Sequence, residues 1–334
     1  MSTSRPTASL KSISMLPSFH SNSASHASPK ALVNGSGDTD QVLANQPEPK
    51  SFIAAALAWR GSVTPIVLPR VIWASVFASL VSCIIFFAPN FHIPITPFEY
   101  SGAVLALILV MRVNAGHDRW WEARKLWGSV VNQSRNLGIV IAAYGEADKT
   151  VTDRLLRLVA AWPHVMRESL RSEKSLREVE TILGPELAAD IRNAQHMPVY
   201  VGHLIAQGLA SLRRYHMDPM AFHRAETERS ALIDAIGACE RIRNTRMPLA
   251  LAIKTRRFLF LFLALLPFAL IERVEFFTPL IMALASYPLF SLDEIGAELQ
   301  NPFSPRNLSH LPLDGICDNI AKNVLALIDQ RDPG

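Results

Sequence analysis

From Val71 to Ala88 the chain runs eighteen residues without a charged side chain, bounded by Arg70 and by Pro89-Asn90. At about 1.5 Å of rise per residue, a helix of that length nearly crosses a hydrocarbon core of about 30 Å. A second apolar block follows a charged stretch of about 140 residues. There Phe258–Ile271 and Phe276–Leu292, fourteen and seventeen residues, are split by Glu272-Arg273-Val274-Glu275. Each is slightly short, a deficit that tilt or buried flanking charges make up. Apolar residues are 49% of the chain and mean hydropathy is +0.19, high for a soluble domain. The pattern predicts an integral membrane protein of about four spanning helices, with two hairpins flanking a polar helical domain.

The second span is flawed in an informative way. Glu99 and Arg112 leave only Tyr100–Met111 uncharged, too short for a helix that faces lipid. Extension through Val113–Gly116 puts Arg112, Asn114 and His117 at or near membrane depth, where ionisable groups must face protein or water. Ser101, Gly102, Ala103, Ala106 and Ala115 permit close helix packing. Two arrangements satisfy these facts. The helix packs among its own copies around an aqueous path, or it is a buried structural helix with Arg112 paired to a carboxylate.

Net charge is +4 and the pI about 9.1, and topology accounts for the excess. Residues 112–257 carry 23 Lys/Arg against 16 Asp/Glu, whereas Ala88–Ile95 has no Lys or Arg and 272–275 only Arg273. The positive-inside tendency therefore puts the middle domain in the cytoplasm and both short connections outside. Nucleic acid is not an expected partner, because no basic–aromatic platform or reader motif occurs.

The expected organisation is all-α. Residues 1–50 are Ser-rich, acid-poor and without apolar periodicity; they read as a disordered cytoplasmic tail or as an organellar transit peptide. Residues 51–70 form an amphipathic lead-in, 71–117 the first membrane hairpin, 118–257 a cytoplasmic helical domain, 258–292 the second hairpin and 293–334 a C-terminal cytoplasmic segment. Within the middle domain the spacing predicts helices over Trp120–Tyr144, Thr150–Leu170, Leu176–Asn193 with a break at Gly184-Pro185, Val199–Tyr215 and Ala221–Arg243. Cys83, Cys239 and Cys317 are scattered and suggest neither a disulfide framework nor a thiolate metal site. His196, His203, His216 and His223 lack the spacing of a ligand set, so no metal is expected. No P-loop, dinucleotide fingerprint, HExxH or nucleophile elbow is present.

Directly after span two comes Arg119-Trp120-Trp121-Glu122-Ala123-Arg124-Lys125-Leu126-Trp127-Gly128. Arg119, Trp120, Trp121 and Trp127 suit an interfacial anchor with indoles at headgroup depth. The order of residues in Asn114–Gly128 goes further, for it resembles the bestrophin family, bacterial and chloroplast members included. Glu240–Pro248, Asp293–Glu298, Asn301-Pro302-Phe303 and Leu311-Pro312-Leu313-Asp314 continue the resemblance, which covers roughly residues 60–330.

The resemblance implies a homopentamer with four membrane helices per subunit, one axial pore and a cytoplasmic helical bundle. It implies an ion channel in a membrane, conducting chloride or other anions, with a cation-selective homologue as the alternative. A membrane-anchored enzyme or scaffold, or a secondary transporter, belongs to other classes; the first needs converging ionisable groups, the second an internal repeat, and neither is visible. A bacterial inner membrane is the expected location, a thylakoid or other organellar membrane the alternative. Counted back from Arg119, the family's hydrophobic pore neck falls on Ala103, Leu107 and Met111. Four residues advance a helix by about 400°, so the three share one face with a drift of roughly 40° per step. A second, cytoplasmic constriction falls near Val201, which is equally placed for a bundle core. Animal bestrophins follow Asn-Pro-Phe with an acidic cluster that clasps Ca²⁺. Here Ser304-Pro305-Arg306-Asn307 follows, Arg306 has the wrong sign for a hard cation, and no calcium clasp or other cofactor is expected.

Overall fold

The computed structural model describes residues 51–59, 61–87, 94–145, 148–214 and 216–331. Among them no strand occurs, and the helices in chain order are α1 (Phe52–Ala56), α2 (Thr64–Phe87), α3 (Thr96–Tyr144), α4 (Lys149–Arg171), α5 (Arg177–Leu183), α6 (Pro185–Asn193), α7 (Met197–Arg214), α8 (Pro219–Asn244), α9 (Leu249–Val274), α10 (Thr278–Glu298) and α11 (Leu313–Arg331). The 1–50 tail, and most of the connection expected at 88–95, lie outside the described residues.

Helix α3 sets the scale of the molecule. Its forty-nine residues span about 73 Å, more than twice a hydrocarbon core. No break separates the apolar first half from the Trp-rich segment, so span two and the helix expected over Trp120–Tyr144 are one rod. The other apolar helices also outrun their apolar runs. Helix α9 begins at Leu249, ahead of Lys254, Arg256 and Arg257, and α10 continues through Asp293 to Glu298. Charges set where lipid ends, not where a helix does. Likewise α2 starts at Thr64 and takes over part of the expected lead-in. Pro65 is tolerated there because the N–H it lacks would have no intrahelical acceptor. Residues 275–277 form a 3₁₀ turn that joins α9 to α10.

The first half of α3, with α2, α9 and α10, forms a four-helix bundle. Ala78 from α2, Leu105 and Leu109 from α3, Leu259, Leu263, Leu266 and Leu270 from α9, and Met282 from α10 fill its centre. Its outside is apolar as well: Ile72, Trp73, Val76 and Leu80 on α2, Phe260, Leu261 and Leu265 on α9, and Leu280 and Leu284 on α10 are exposed. A bundle apolar inside and out suits lipid, not water. By length and composition alone, α2 and α3 are each sufficient to cross a bilayer.

The second half of α3 enters a helical body with α4, α7, α8 and α11. Local signals fix its joints. The Asp148 carboxylate caps α4 by accepting from the Val151 N–H at 3.1 Å, and Asp218 caps α8 by accepting from Met220 and Ala221 N–H at 2.8 and 2.9 Å. Gly184, at φ 87°, breaks the chain between α5 and α6, as Gly184-Pro185 predicts. Helix α4 is enclosed on every side, for every residue from Leu158 to Glu168 is buried. Its polar side is covered by ion pairs, not by water: Arg167 reaches Glu168, Glu178 and Asp314 at 2.8, 3.2 and 2.7 Å. Trp162 Nε1 donates to the Pro198 carbonyl at 2.9 Å and locks α7 against α4.

Candidate functional site

Helix α3 presents two unlike faces over its membrane half. Leu105, Leu109, Arg112 and Gly116 point into the bundle and are buried. Ala103, Leu107 and Met111 lie on the other side, with Leu107 and Met111 61% and 63% exposed. Asn114, His117 and Trp121 extend the exposed stripe toward the body. An apolar stripe that turns polar along one rod is thus left uncovered by the subunit's own helices.

Behind it the charge of Arg112 is met inside the subunit. Its Nη1 donates to Asp293 Oδ1 of α10, and Asp293 Oδ2 accepts from Arg256 Nε of α9 at 3.0 Å. Arg112 is thus paired with a carboxylate, as in the second arrangement open to the sequence, while the opposite face of the same helix stays exposed as the first would have it. Two glycines let α3 and α10 approach: a Cβ at Gly116 would stand 3.0 Å from Leu299 Cβ, and one at Gly296 3.2 Å from Arg112 Cγ. Arg70 of α2 adds an ion pair to Glu294 at 2.6 Å.

The Trp-rich segment divides. Arg119 is half-buried and donates to the Thr245 carbonyl at 2.7 Å, to the Ile242 carbonyl, and to Gln300 O at 3.4 Å. It staples α3 to the ends of α8 and α10. Trp120 Nε1 donates to the Ser309 carbonyl at 2.8 Å, and Trp121 stays exposed. Trp127 does not fit the expected anchor. It is fully buried in the core of the body, two turns beyond Trp120 on a helix that has already left the bundle, so its indole meets protein and not headgroups. Val201 is corrected in the same way. It is completely enclosed in that core and offers no surface to a passing ion.

Sequence reasoning missed two features. Asp293 reads only as a mark of the exit of the second hairpin, although an acid that closes an apolar run could have been matched to Arg112. The buried ionic cluster of α4 leaves no signal, because Glu178 joins it from the next helix and Asp314 from the far end of the chain. The His164 ring in that cluster lies 3.9 Å from Asp318, and burial, reinforced by the Arg167 charge, holds its pKa down to about 4.

Long apolar helices continuous with a helical body, with an ion pair sealed behind an exposed apolar stripe, define a helical membrane protein. Comparison with known proteins sharpens this. Residues 43–326 match the family described as Bacterial/Fungal Bestrophin protein, and the chain belongs to the bestrophin family. It is 31% identical, over 82% of its length and 91% of the relative's, to a voltage-dependent anion channel-forming protein of Nostoc sp.. A protein of the same description from Mesorhizobium japonicum is 32% identical over 86% of this chain and 93% of the other. In three dimensions the chain resembles a bacterial bestrophin homolog from Klebsiella pneumoniae, with a TM-score of 0.73 and 24% identity, over 79% of this chain and 98% of that one.

Proposed function

We propose that this protein is the subunit of an oligomeric anion channel, a homopentamer with α2, α3, α9 and α10 in the membrane and α3 nearest the shared axis. The observation that carries the reading is the exposed stripe Ala103–Leu107–Met111 on a helix whose only buried membrane charge, among the described residues, is already paired within the subunit. A stripe free of charge and of intrasubunit partners is suited to line a narrow neck, where apolar walls hold back water and ions until the neck is wetted. Met111 is flexible and Ala103 small, so this neck is wider than one of bulky residues. The relatives described as anion channel-forming support the sign of the permeant ion. Chloride is the expected carrier and a bacterial inner membrane the expected location. No calcium clasp is proposed. Asn307 Nδ2 donates to the Glu298 and Asn301 carbonyls at 3.0 and 2.9 Å, which ties up oxygens a hard cation would need, and Arg306 lies exposed beside them.

The test is the reversal potential of purified protein in planar bilayers under asymmetric chloride. The reading expects it to move toward the chloride equilibrium potential; a value at the cation's potential would overturn the anion assignment.

A further inference from the structure

A cleft of about 370 Å³ opens outside the membrane bundle, where three parts of the chain meet. Arg171 and Ser172 come from the end of α4, Arg243 and Arg246 from the end of α8 and its junction to α9, and Asn301 and Ser304 from the segment after α10. Among the described residues no carboxylate lines it. The three guanidinium groups differ in how they are held. Arg171 is neutralised by a two-pronged pair with Asp314 at 2.8 and 2.7 Å. Arg243 donates to the Ser169 carbonyl at 2.8 Å and to Ser172 Oγ, which fixes its plane; no ion pair opposes its charge among the described residues. Arg246 is exposed and makes no hydrogen bond or ion pair among the described residues. Asn301 Oδ1 accepts from the Phe303 N–H at 3.3 Å, so its amide has donors to spare. Ser172 sits at φ 59°, in the left-handed region that favours glycine.

We propose that this cleft binds a phosphate-class oxyanion, free or carried on a lipid headgroup. A guanidinium fork matches a tetrahedral oxyanion in both geometry and charge. Arg243, already held in orientation, supplies one fork and the exposed Arg246 the second, while Asn301 and Ser304 donate to the remaining oxygens. The bound anion would bridge the ends of α4 and α8 to the segment after α10, beside the staple that Arg119 makes to Thr245 and Gln300. An occupied cleft therefore stiffens the joint between the helical body and the membrane bundle. The proposal does not depend on conduction, and its readout is binding.

The experiment is calorimetric titration of the full-length protein in detergent with inorganic phosphate, at constant ionic strength in a chloride background. Dihexanoyl phosphatidylglycerol is titrated in parallel, with the zwitterionic dihexanoyl phosphatidylcholine as control. Saturable binding of either anionic probe, weakened at least about tenfold by Arg246→Glu and less by Arg246→Gln, is the expected result. Tighter binding of the phosphatidylglycerol would assign the cleft to a headgroup, and equal or tighter binding of inorganic phosphate to a free anion. Arg213→Glu, an exposed arginine on α7 outside the cleft, makes the same charge change and is expected to bind as the parent does. Arg246 is exposed, so unliganded melting should be unaltered in its variants. Absence of saturable binding by both anionic probes, or equal loss in Arg246→Glu and Arg213→Glu, would overturn the proposal.

Discussion

Arg112 of α3 and Asp293 of α10 are joined by an ion pair sealed inside the membrane bundle, with only 3% and 4% of their side chains exposed. Removing one member strands the other charge. Asp293→Ala is expected to cost about 3–5 kcal/mol, whereas Arg112→Met with Asp293→Leu, which replaces both charges by apolar groups, should recover most of that loss. Thermal midpoints of the detergent-solubilised assembly report both. An Asp293→Ala protein that melts with the parent would show that the pair does not hold the bundle.

The same contact needs the glycines beside it. A side chain at Gly116 meets Leu299 at 3.0 Å, whereas one at Gly237 on α8 meets nothing within 4 Å. Gly116→Leu should therefore destabilise by about 1–3 kcal/mol. Gly237→Leu should be neutral or gain up to about 1 kcal/mol from helix propensity. Equal melting of the two variants would remove close α3–α10 approach from the account.

His164 gives the body a defined acid sensitivity. Burial holds the folded ring's pKa at about 4, against 6.5 for an open imidazole. Between those values the unfolded chain takes up a proton that the folded one refuses. Its contribution, roughly 3 kcal/mol, is thus whole above pH 6.5 and is lost as pH falls toward 4. Glu168 and Asp318, both raised chiefly by burial, take up protons earlier in the folded state and work in the opposite direction. His164→Gln should flatten the fall in stability between pH 6.5 and 4, measured by denaturant unfolding at each pH. An unchanged slope would show that the histidine is not its source.

Calcium should not matter to conduction. With Arg306 in the segment after Asn301-Pro302-Phe303 and the neighbouring oxygens already hydrogen-bonded, currents in planar bilayers are expected to be the same in excess chelator and in micromolar calcium. A current that appears only with calcium would require a donor set elsewhere.

Much of this architecture could be read from the chain because apolar runs and helical spacing are local properties. Val71–Ala88 needs no partner to be recognised as a span, and Gly184-Pro185 marks a helix break through its own backbone chemistry. What could not be read depends on pairing across distance. The sequence puts Arg112 at membrane depth without saying that Asp293, 181 residues on, would be its partner. Trp127 reads as an anchor because composition cannot distinguish an indole at a membrane surface from one inside a helical body; only the unbroken course of α3 decides it. Val201 failed for a related reason, since apolar residues that line a constriction and those that fill a core look alike until burial is known.

Access of water to the exposed stripe of α3 decides whether that helix lines a pore. Leu107→Cys in a Cys83→Ser background puts one reactive thiol on it; Cys239 and Cys317 are buried, with thiol pKa values pushed up by burial, to about 12 for Cys239, and should stay inert. A charged methanethiosulfonate applied from the aqueous side should modify Leu107→Cys rapidly and block or strongly reduce the current, while Leu265→Cys on the outer face of α9 stays slow. Equal, slow labelling at both positions with an undiminished current would mean that Leu107 faces lipid and that the pore lies elsewhere.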